Sequence, residues 1–202
     1  MANRGSRLPG SARRAQIIQV ARELFARQGY RVTTTRDLAR ATGVSDALMY
    51  RYFAGKDEVL FAVVDDAITG FIAMAADRPD PEQLTVEEFL TDLGRRFLAT
   101  LLGQLDLLVL LIAEHRILSG DARFVTFVDG AASVLGAELE ARAGAGEIRP
   151  EVNGYLLIRG FMAALVSFVL LQHGLGLDRI HHVDPETFLN HLVASFVQGI
   201  RS

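Results

Sequence analysis

The sequence contains no cysteine and no tryptophan, and its only lysine is Lys56. The lack of cysteine excludes disulfides and thiolate metal sites, and it fits a reducing compartment. Residues 1–10 contain two arginines but no apolar stretch of signal-peptide length, so we expect a cytoplasmic protein. No segment shows a convincing strand pattern or an internal repeat. These absences leave an all-α fold as the prediction.

What the chain does contain is enough apolar material for a real core and an uneven distribution of charge. Half of its 202 residues are hydrophobic, which argues against disorder. Residues 1–56 carry eleven basic side chains and three acids, a net charge of +8, whereas residues 57–202 carry ten basic side chains and 21 acids, a net charge of −11. A basic head on an acidic body is typical of a protein whose amino-terminal part meets nucleic acid. Charge alone fits a solvated basic tail equally well.

The stretch from Thr33 to Phe53 favours the nucleic-acid interpretation. Thr34 and Asp37 have the spacing of a capping box, so a helix is predicted to start there. Gly43 suits the left-handed conformation that ends a helix, and Ser45 can cap a second helix. A helix, a short turn with glycine and another helix form the helix-turn-helix pattern, whose second helix enters the major groove of DNA.

The residues of this stretch resemble the amino-terminal domain of TetR-type transcriptional regulators. The resemblance covers roughly residues 11–60, under a third of the chain, with many positions in register. The matching positions are Gly29-Tyr30, Thr33-Thr34, Asp37-Leu38-Ala39, Gly43-Val44-Ser45, Met49-Tyr50, Phe53 and Lys56. The resemblance implies a three-helix DNA-binding head, an effector-binding body and dimerisation through the last two helices.

One group of residues is predicted to contact the DNA backbone. Thr33, Thr34 and Thr35 lie at the start of the second helix, where free amides and the helix dipole attract phosphate. Tyr50, Tyr52 and Lys56 match family positions close to the backbone. For the two tyrosines, packing in the core with a satisfied hydroxyl remains the alternative.

A second group is predicted to read bases or to support the recognition helix. It comprises Arg36, Ser45, Asp46, Ala47, Leu48 and Arg51. Arginine pairs with guanine through two hydrogen bonds, and small apolar side chains suit the thymine methyl group. Asp46 departs from the family pattern, in which a basic or neutral residue is common. It can accept from a cytosine amine or stabilise the start of the helix, and the sequence favours the second role slightly.

The whole chain is predicted to form nine helices in a head and a body. Residues 1–10 form a flexible basic arm, 11–56 the DNA-binding domain and 57–202 the effector-binding and dimerisation domain. Glycine, proline and capping signals place the helices at about 11–28, 34–42, 45–52, 56–76, 85–103, 105–118, 122–143, 150–173 and 184–200. Pro79-Asp80-Pro81 marks a loop, and Asp121 is expected to cap the seventh helix.

The most apolar segment, Val152 to Leu171, is long enough to raise the question of a membrane span. It contains Asn153, Arg159 and Ser167 and lacks basic flanks, so burial in protein is the simpler interpretation. Together with the last helix it predicts a four-helix interface between two protomers, with plain intrachain core as the alternative. The interface candidates are Gly160, Ala164, Phe168, Phe188, Leu192 and Phe196.

The helical body resembles the effector-binding part of the family and implies a pocket for an apolar or amphipathic small molecule. The candidate lining residues are Phe97, Ile112, His115, Phe127, Tyr155, Arg159 and Met162. For each of them an ordinary place in the core or at a helix end is the alternative. The histidines at 173, 181, 182 and 191 follow no zinc spacing, so we expect neither a metal nor a cofactor.

These patterns lead to a dimeric repressor that a small-molecule effector releases from a palindromic operator. The alternative is a DNA-binding regulator without a small-molecule ligand, a class that includes activators. An all-helical enzyme is the third hypothesis. It has little support, because no nucleophile–base pair, phosphate loop or paired carboxylates can be recognised. We therefore expect double-stranded DNA and a second copy of the chain as partners, and no membrane.

Overall fold

The computed structural model describes residues 9–76, 84–118 and 122–201. Within them it contains ten α-helices and no strand beyond an isolated bridge between Ile148 and Arg201. The helices are α1 Gly10–Gln28, α2 Thr35–Thr42, α3 Asp46–Tyr52, α4 Lys56–Ala76, α5 Val86–Gly103, α6 Leu105–Ala113, α7 His115–Leu118, α8 Ala122–Gly144, α9 Gly154–Val169 and α10 Pro185–Ile200. The predicted all-α class is confirmed.

Several predicted features lie outside the described residues. These are residues 1–8 of the expected arm, the loop at Pro79-Asp80-Pro81 and the cap at Asp121.

Over its described residues the structure has ten helices where about nine were predicted, because the helix expected from Leu105 to Leu118 is divided in two at Glu114. This residue leaves the helical conformation, with φ −105° and ψ 22°, and separates α6 from α7. No glycine or proline marks the position. The break accompanies burial of the Glu114 side chain, of which 7% is exposed, between the body and the loop that follows α1.

The helix predicted from Pro150 to His173 differs at both ends. It starts at Gly154, where the Asn153 side chain accepts a hydrogen bond from the Leu156 N–H, because asparagine caps a helix better than Pro150-Glu151 can. At its other end α9 continues as a π-helical turn, Leu170–Gly174, in place of regular α-helix. A turn of this kind widens the backbone by one residue and turns its side chains away from the regular helical positions.

Two clusters of buried side chains form the interior. The head core unites α1, α2, α3 and the first half of α4, and Leu107, Leu110 and Leu118 from α6 and α7 complete it. The body core unites α5, α8, α9 and α10, with Leu105 and Leu108 of α6 packed against it. Helix α6 therefore contributes side chains to both cores. The domain boundary predicted at residue 56 falls at the first residue of α4, whose Val59 to Ala67 complete the head core.

Helices α8 and α9 approach each other at two glycines. A Cβ atom on Gly136 would lie 2.6 Å from the backbone nitrogen of Tyr155, and one on Gly154 would lie 2.1 Å from the carbonyl oxygen of Gly136. Only glycine permits this separation, so these positions set the contact between the two helices.

The segment Gly154–Gly174 is long and apolar enough to cross a membrane, with a mean hydropathy of 2.0. Helices α5 and α6 meet the same criteria only as a broken pair bent by 78°. Such a segment is weak evidence for a span, because a core helix meets the same criteria. Five of its side chains, including Phe161 and Leu165, are buried in the body core, yet only 33% of its apolar window is buried. Leu156, Gly160, Ala163 and Ser167 are exposed at helical spacing, so the described part of the chain leaves one face of α9 uncovered.

Candidate nucleic-acid interface

The start of α2 is fixed by the predicted capping box. The Thr34 hydroxyl accepts from the Asp37 N–H at 3.2 Å, and the Asp37 carboxylate accepts from the Thr34 N–H at 3.0 Å. Hydrogen bonds from the Thr34 hydroxyl and backbone hold the pKa of Asp37 below its usual value. Asp37 is therefore ionised at neutral pH, and both ends of the box are satisfied.

The turn and the recognition helix follow the predicted pattern. Gly43 has the left-handed conformation, with φ 70° and ψ 28°, and ends α2. The Ser45 hydroxyl caps α3 by accepting from the Leu48 N–H at 3.2 Å. Beneath the two helices Leu38 and Met49 are almost fully buried in the head core. These side chains anchor one side of the pair, and the opposite side carries the exposed residues.

Two hydroxyls meet on the exposed side. The Tyr50 phenol lies 3.1 Å from the Thr35 hydroxyl, and 56% of Tyr50 is exposed. This contact joins the start of α2 to α3 and places two groups that can bind phosphate side by side. Tyr52, by contrast, is half-buried and packs against the head core.

Thr33 does not join this exposed group. It is fully buried, its hydroxyl donates to the Gly29 carbonyl at 2.7 Å, and it accepts from the Gln28 amide at 3.0 Å. Both hydrogen bonds close the turn between α1 and α2. We therefore leave Thr33 out of the interface proposed below.

The candidates for base readout lie on the same exposed side. Arg36 and Asp46 form an ion pair with 3.5 Å between Nε and Oδ2. Ala47 and Arg51 are exposed on α3, and Leu48 is half-buried. The arrangement brings two cations, one anion and the apolar groups of Ala47 and Leu48 to the surface of α2 and α3.

Lys56 is positioned differently from the free cation that the family pattern implies. Its ammonium donates to the carbonyl oxygens of Tyr30 at 2.9 Å and Arg31 at 3.2 Å, and it lies 4.3 Å from the centre of the Tyr30 ring. Two of its three N–H donors are thus held by the loop between α1 and α2. Lys56 ties α4 to this loop, and its contact with the DNA backbone remains a prediction.

Two contacts at this junction were not predicted from the sequence. The Tyr30 hydroxyl donates to the Asp57 carboxylate, and the Arg31 Nε lies 3.6 Å from the carboxylate of Glu114. The first joins the head to α4, and the second joins it to the break between α6 and α7. The only signal in the sequence was the acid in the first turn of α4, which suggested no more than a favourable helix dipole.

The pocket candidates fall into separate groups. Phe97 and Phe127 flank Phe71 at 5.6 and 6.3 Å between ring centres, and Met162 packs against the body core. Tyr155 donates to Asp129 at 2.6 Å and accepts from Arg159 at 2.9 Å on the surface. The structure therefore brings the aromatic walls together but places this polar pair outside them.

His115 and Ile112 lie elsewhere, near the break in front of α7. The His115 ring is exposed, with Nδ1 3.0 Å from the Ile112 carbonyl oxygen, and 44% of Ile112 is exposed. The position of His115 is the helix-end role that the sequence left open as its alternative.

The dimer candidates share the side of the body formed by α9 and α10. Phe168 stacks on Phe188 with 4.1 Å between ring centres, and Phe196 packs edge-on against Phe161 at 5.5 Å. Gly160 is exposed and Ala164 is half-buried. Leu192 is also half-buried.

Among the residues that the structure describes, no group of three or more histidines and acids could hold a metal ion.

Comparison with known proteins shows a family match over the amino-terminal domain. Residues 17–63 match the family model described as bacterial regulatory proteins of the tetR family. Over 155 residues, 72% of this chain and 63% of the relative, the chain is 33% identical to the HTH-type transcriptional regulator HbdR of Aromatoleum sp. strain CIB. Over 62 residues, 31% of this chain and 29% of the relative, it is 36% identical to the HTH-type transcriptional repressor KstR2 of Mycobacterium tuberculosis. The chain thus spans less than two thirds of these relatives, and both are named as regulators of transcription rather than enzymes.

The fold recurs in solved structures. The regulator FadR of Bacillus subtilis, solved in complex with stearoyl-CoA, has a TM-score of 0.74 at 22% identity, with 93% of this chain and 99% of that chain covered. FadR of Bacillus halodurans, described as a fatty acid degradation regulator, has a TM-score of 0.72 at 19% identity, with 95% and 97% covered. Residues 17–63 thus match the DNA-binding domain of bacterial regulatory proteins of the tetR family, and the fold of the rest of the chain recurs in solved regulators.

Proposed function

We propose that the protein is a dimeric, sequence-specific repressor that binds a near-palindromic operator and is released by an amphipathic small molecule. The observation that carries the DNA-binding part is the exposed surface of α2 and α3. Thr35, Tyr50 and Arg36 project from it on a head with a net charge of +8 over residues 1–56. Arg51 and Ala47 complete the proposed contact surface. The name of the repressor KstR2 supports the direction of regulation.

Footprinting of the DNA that flanks the gene, at several salt concentrations, tests this proposal. We expect protection of a near-palindrome with half-sites about 34 Å or more apart, because a two-fold dimer presents two recognition helices. Affinity should fall steeply with salt as counterions are released from phosphates. If the operator lies elsewhere in the genome, selection of bound duplexes from a random library identifies its sequence. If neither experiment yields a preferred sequence, the protein is not a sequence-specific regulator.

Replacing Tyr50 by phenylalanine tests the backbone contact. We expect binding to specific and non-specific duplexes to weaken alike, by about 1 kcal/mol for each half-site, because one hydrogen bond to phosphate is lost. Fluorescence anisotropy with labelled duplexes measures both affinities. Tyr155→Phe is the matched control, since it removes a hydroxyl from the surface of the body. Equal affinities for wild type and Tyr50→Phe would contradict the proposed contact.

The effector part rests on polar groups that the body core leaves unsatisfied. Gln172 Oε1 and His173 Nε2 are buried without a hydrogen-bond partner among the described residues. They lie on the π-helical turn, which packs against α6 and brings Gly174 close to Val109. Buried polar atoms are nearly always paired, and π-helical turns are frequent at functional sites. We assign these two side chains to the polar end of the effector site.

The chemistry of these atoms limits the ligand. Gln172 Oε1 can only accept a hydrogen bond, whereas His173 Nε2 can accept or donate according to its tautomer. A ligand with a hydroxyl or amide N–H attached to an apolar body satisfies the pair. Because α6 also contributes to the head core, a shift of the π-helical turn can reach the DNA-binding domain. The ligand acts only through its different affinity for the two states of the dimer.

Gln172→Met tests the assignment with two readouts. The melting temperature of the free protein should stay the same or rise, because an unsatisfied buried acceptor is replaced by an apolar group of similar shape. Release of operator DNA should need a higher concentration of the amphipathic ligand, with stearoyl-CoA as the first probe. Gln198→Met on the exposed side of α10 is the control. A lower melting temperature would mean that Gln172 serves the fold, and an unchanged ligand response would remove it from the site.

A further inference from the structure

Two polar contacts bridge the starts of α2 and α3 on their exposed side. Arg36 Nε lies 3.5 Å from Asp46 Oδ2, with 77% and 51% of the two side chains exposed. One turn further along α3, Tyr50 meets Thr35 at 3.1 Å. Asp46 and Tyr50 are four residues apart, so they project from the same face of α3. The face proposed to meet DNA thus carries an acid held next to an arginine.

The stability of the fold gives little reason for an acid at position 46. Exposed ion pairs contribute little to folding. The cap of α3 is already supplied by Ser45, whose hydroxyl accepts from the Leu48 N–H at 3.2 Å. An acid in the first turn also complements the helix dipole, but any position in that turn serves this purpose. On a DNA-facing surface the carboxylate repels phosphate and lowers sequence-independent affinity.

The geometry of the Arg36 guanidinium suggests a role for Asp46 other than stabilising the fold. Arginine has five N–H donors in a rigid planar fork, and Asp46 faces the Nε side of that fork. Nε is the guanidinium atom recorded next to Asp46, which leaves the two terminal nitrogens available to bind another group. Two parallel donors are what the O6 and N7 atoms of guanine accept in the major groove. A free arginine side chain would sample many rotamers before finding this arrangement.

We propose that Asp46 is a positioning residue that holds the Nε edge of Arg36 so that its two terminal nitrogens read one guanine in each half-site. This inference rests on the proposed DNA-binding function. It adds that the contacted base is guanine and that Asp46 orients Arg36. Asp46 lowers affinity for DNA in general and raises the preference for one base. Its effect on sequence choice passes through Arg36 and is absent without it.

Selection from a random double-stranded library, carried out with the protein and five variants, tests this inference. Arg36→Ala identifies the position that Arg36 reads, through loss of a preference on the order of tenfold for guanine. Asp46→Asn should lower the preference at that same position by about threefold, because the fork is no longer held. The double variant should match Arg36→Ala there, since the two residues act as one unit.

Glu23→Gln is the matched control, because it removes one negative charge from the head without facing Arg36. Because Glu23 lies beside Gly103 and Gln104 and away from the α2–α3 surface, this variant should raise general affinity less than Asp46→Asn does and leave base preference unchanged. An unchanged preference at the Arg36 position in Asp46→Asn would overturn the inference. So would a change at a different position, which would mean that Asp46 contacts a base itself. If wild type selects no sequence at all, the DNA-binding proposal fails instead.

Thermal melting of each variant separates positioning from a purely structural role. Both side chains are exposed, so Asp46→Asn should melt within a few degrees of wild type. A large drop in melting temperature with an unchanged base preference would show that Asp46 only stabilises the start of α3. Asp46→Ser provides a second, smaller replacement and should relax the preference in the same way.

Discussion

Tyr30 is the residue that ties the three helices of the head to α4. Only 4% of it is exposed, its ring meets Phe25 edge-on at 5.2 Å, and its hydroxyl donates to Asp57. The Lys56 ammonium covers one face of the ring. Burial raises the pKa of Tyr30, and the hydrogen bond to Asp57 raises it further. The neutral phenol is therefore the form that the folded protein requires.

We expect Tyr30→Phe to lower the free energy of unfolding by about 1 kcal/mol near neutral pH, because one hydrogen bond is lost. The difference from wild type should be fully present below the ordinary tyrosine pKa of about 10. It should shrink as the pH rises above that value, because the unfolded chain then ionises while the folded phenol stays protonated. Urea unfolding at pH 8 and pH 10.5 measures the difference. A difference that grows with pH would contradict the assignment.

For single residues, the sequence predicts the hydrogen-bond partner of a side chain correctly when that partner is only a few residues away. Thr34 and Ser45 cap their helices as expected, since a cap bonds to an amide three residues away. Thr33 was expected at the surface with them, but its hydroxyl turns inward to Gly29. The Lys56 ammonium similarly donates to the carbonyl oxygen of Arg31, which lies 25 residues earlier in the chain. Such directions depend on how the loop packs, which local spacing does not encode.

Among the elements, α8 and α9 show how closely two helices can be held by glycine. The backbone of α8 at Gly136 touches the start of α9 at Gly154 and Tyr155, with no side chain between them. Gly130 lies on the same helix six residues earlier, and a Cβ atom there would meet nothing within 4 Å. The same substitution at Gly130 and at Gly136 therefore separates two effects. Both report helix propensity, and only Gly136 also reports close packing between helices.

We expect Gly136→Ala to lower the free energy of unfolding by about 1–3 kcal/mol, because the methyl group forces the helices apart. Gly130→Ala should raise it by up to about 1 kcal/mol, since alanine favours helix and nothing obstructs it. Urea unfolding of both variants measures the two effects. Equal behaviour of the two variants would mean that α8 and α9 are not in backbone contact.

The sequence predicts elements well where a cap starts them, as at Thr85 and Asp184, or a glycine ends them, as at Gly43. It fails at Glu114 and at Leu170, because neither glycine nor proline stands at the residue where the regular helix stops. There the chain departs from regular helix because α6 must pack against both cores and against the π-helical turn. Such packing contacts form between segments that are distant in the chain, so no local sequence pattern indicates them.

For the whole molecule, the uncovered face of α9 is the best guide to assembly. Gly160 is exposed on it, and the nearest atom to a Cβ at this position is on the Phe196 ring, 3.9 Å away. One protomer therefore has room for a larger side chain at this position. A second protomer placed against α9 and α10 would not, because small residues are what allow helices to approach closely.

We expect Gly160→Glu to leave the folded protomer intact and to dissociate the dimer, because it buries an unpaired charge in the proposed interface. Sedimentation should show a protomer of half the mass, and operator affinity should fall by orders of magnitude, since each half-site is then bound alone. Gly130→Glu on α8 is the control and should remain dimeric. A dimer that persists in Gly160→Glu would place the interface elsewhere.

The sharing of α6 between the two cores bears on the design of chimeric regulators. A head transplanted at residue 56 would leave behind Leu107, Leu110 and Leu118, which fill part of its interior. The recipient body would have to offer three apolar side chains of similar shape at the same places. A graft that exchanges these leucines along with residues 1–67 carries the whole interior with it. To exchange heads between regulators, the residue at which the chains are joined must be chosen, and the side chains at positions 107, 110 and 118 must also fit the new head.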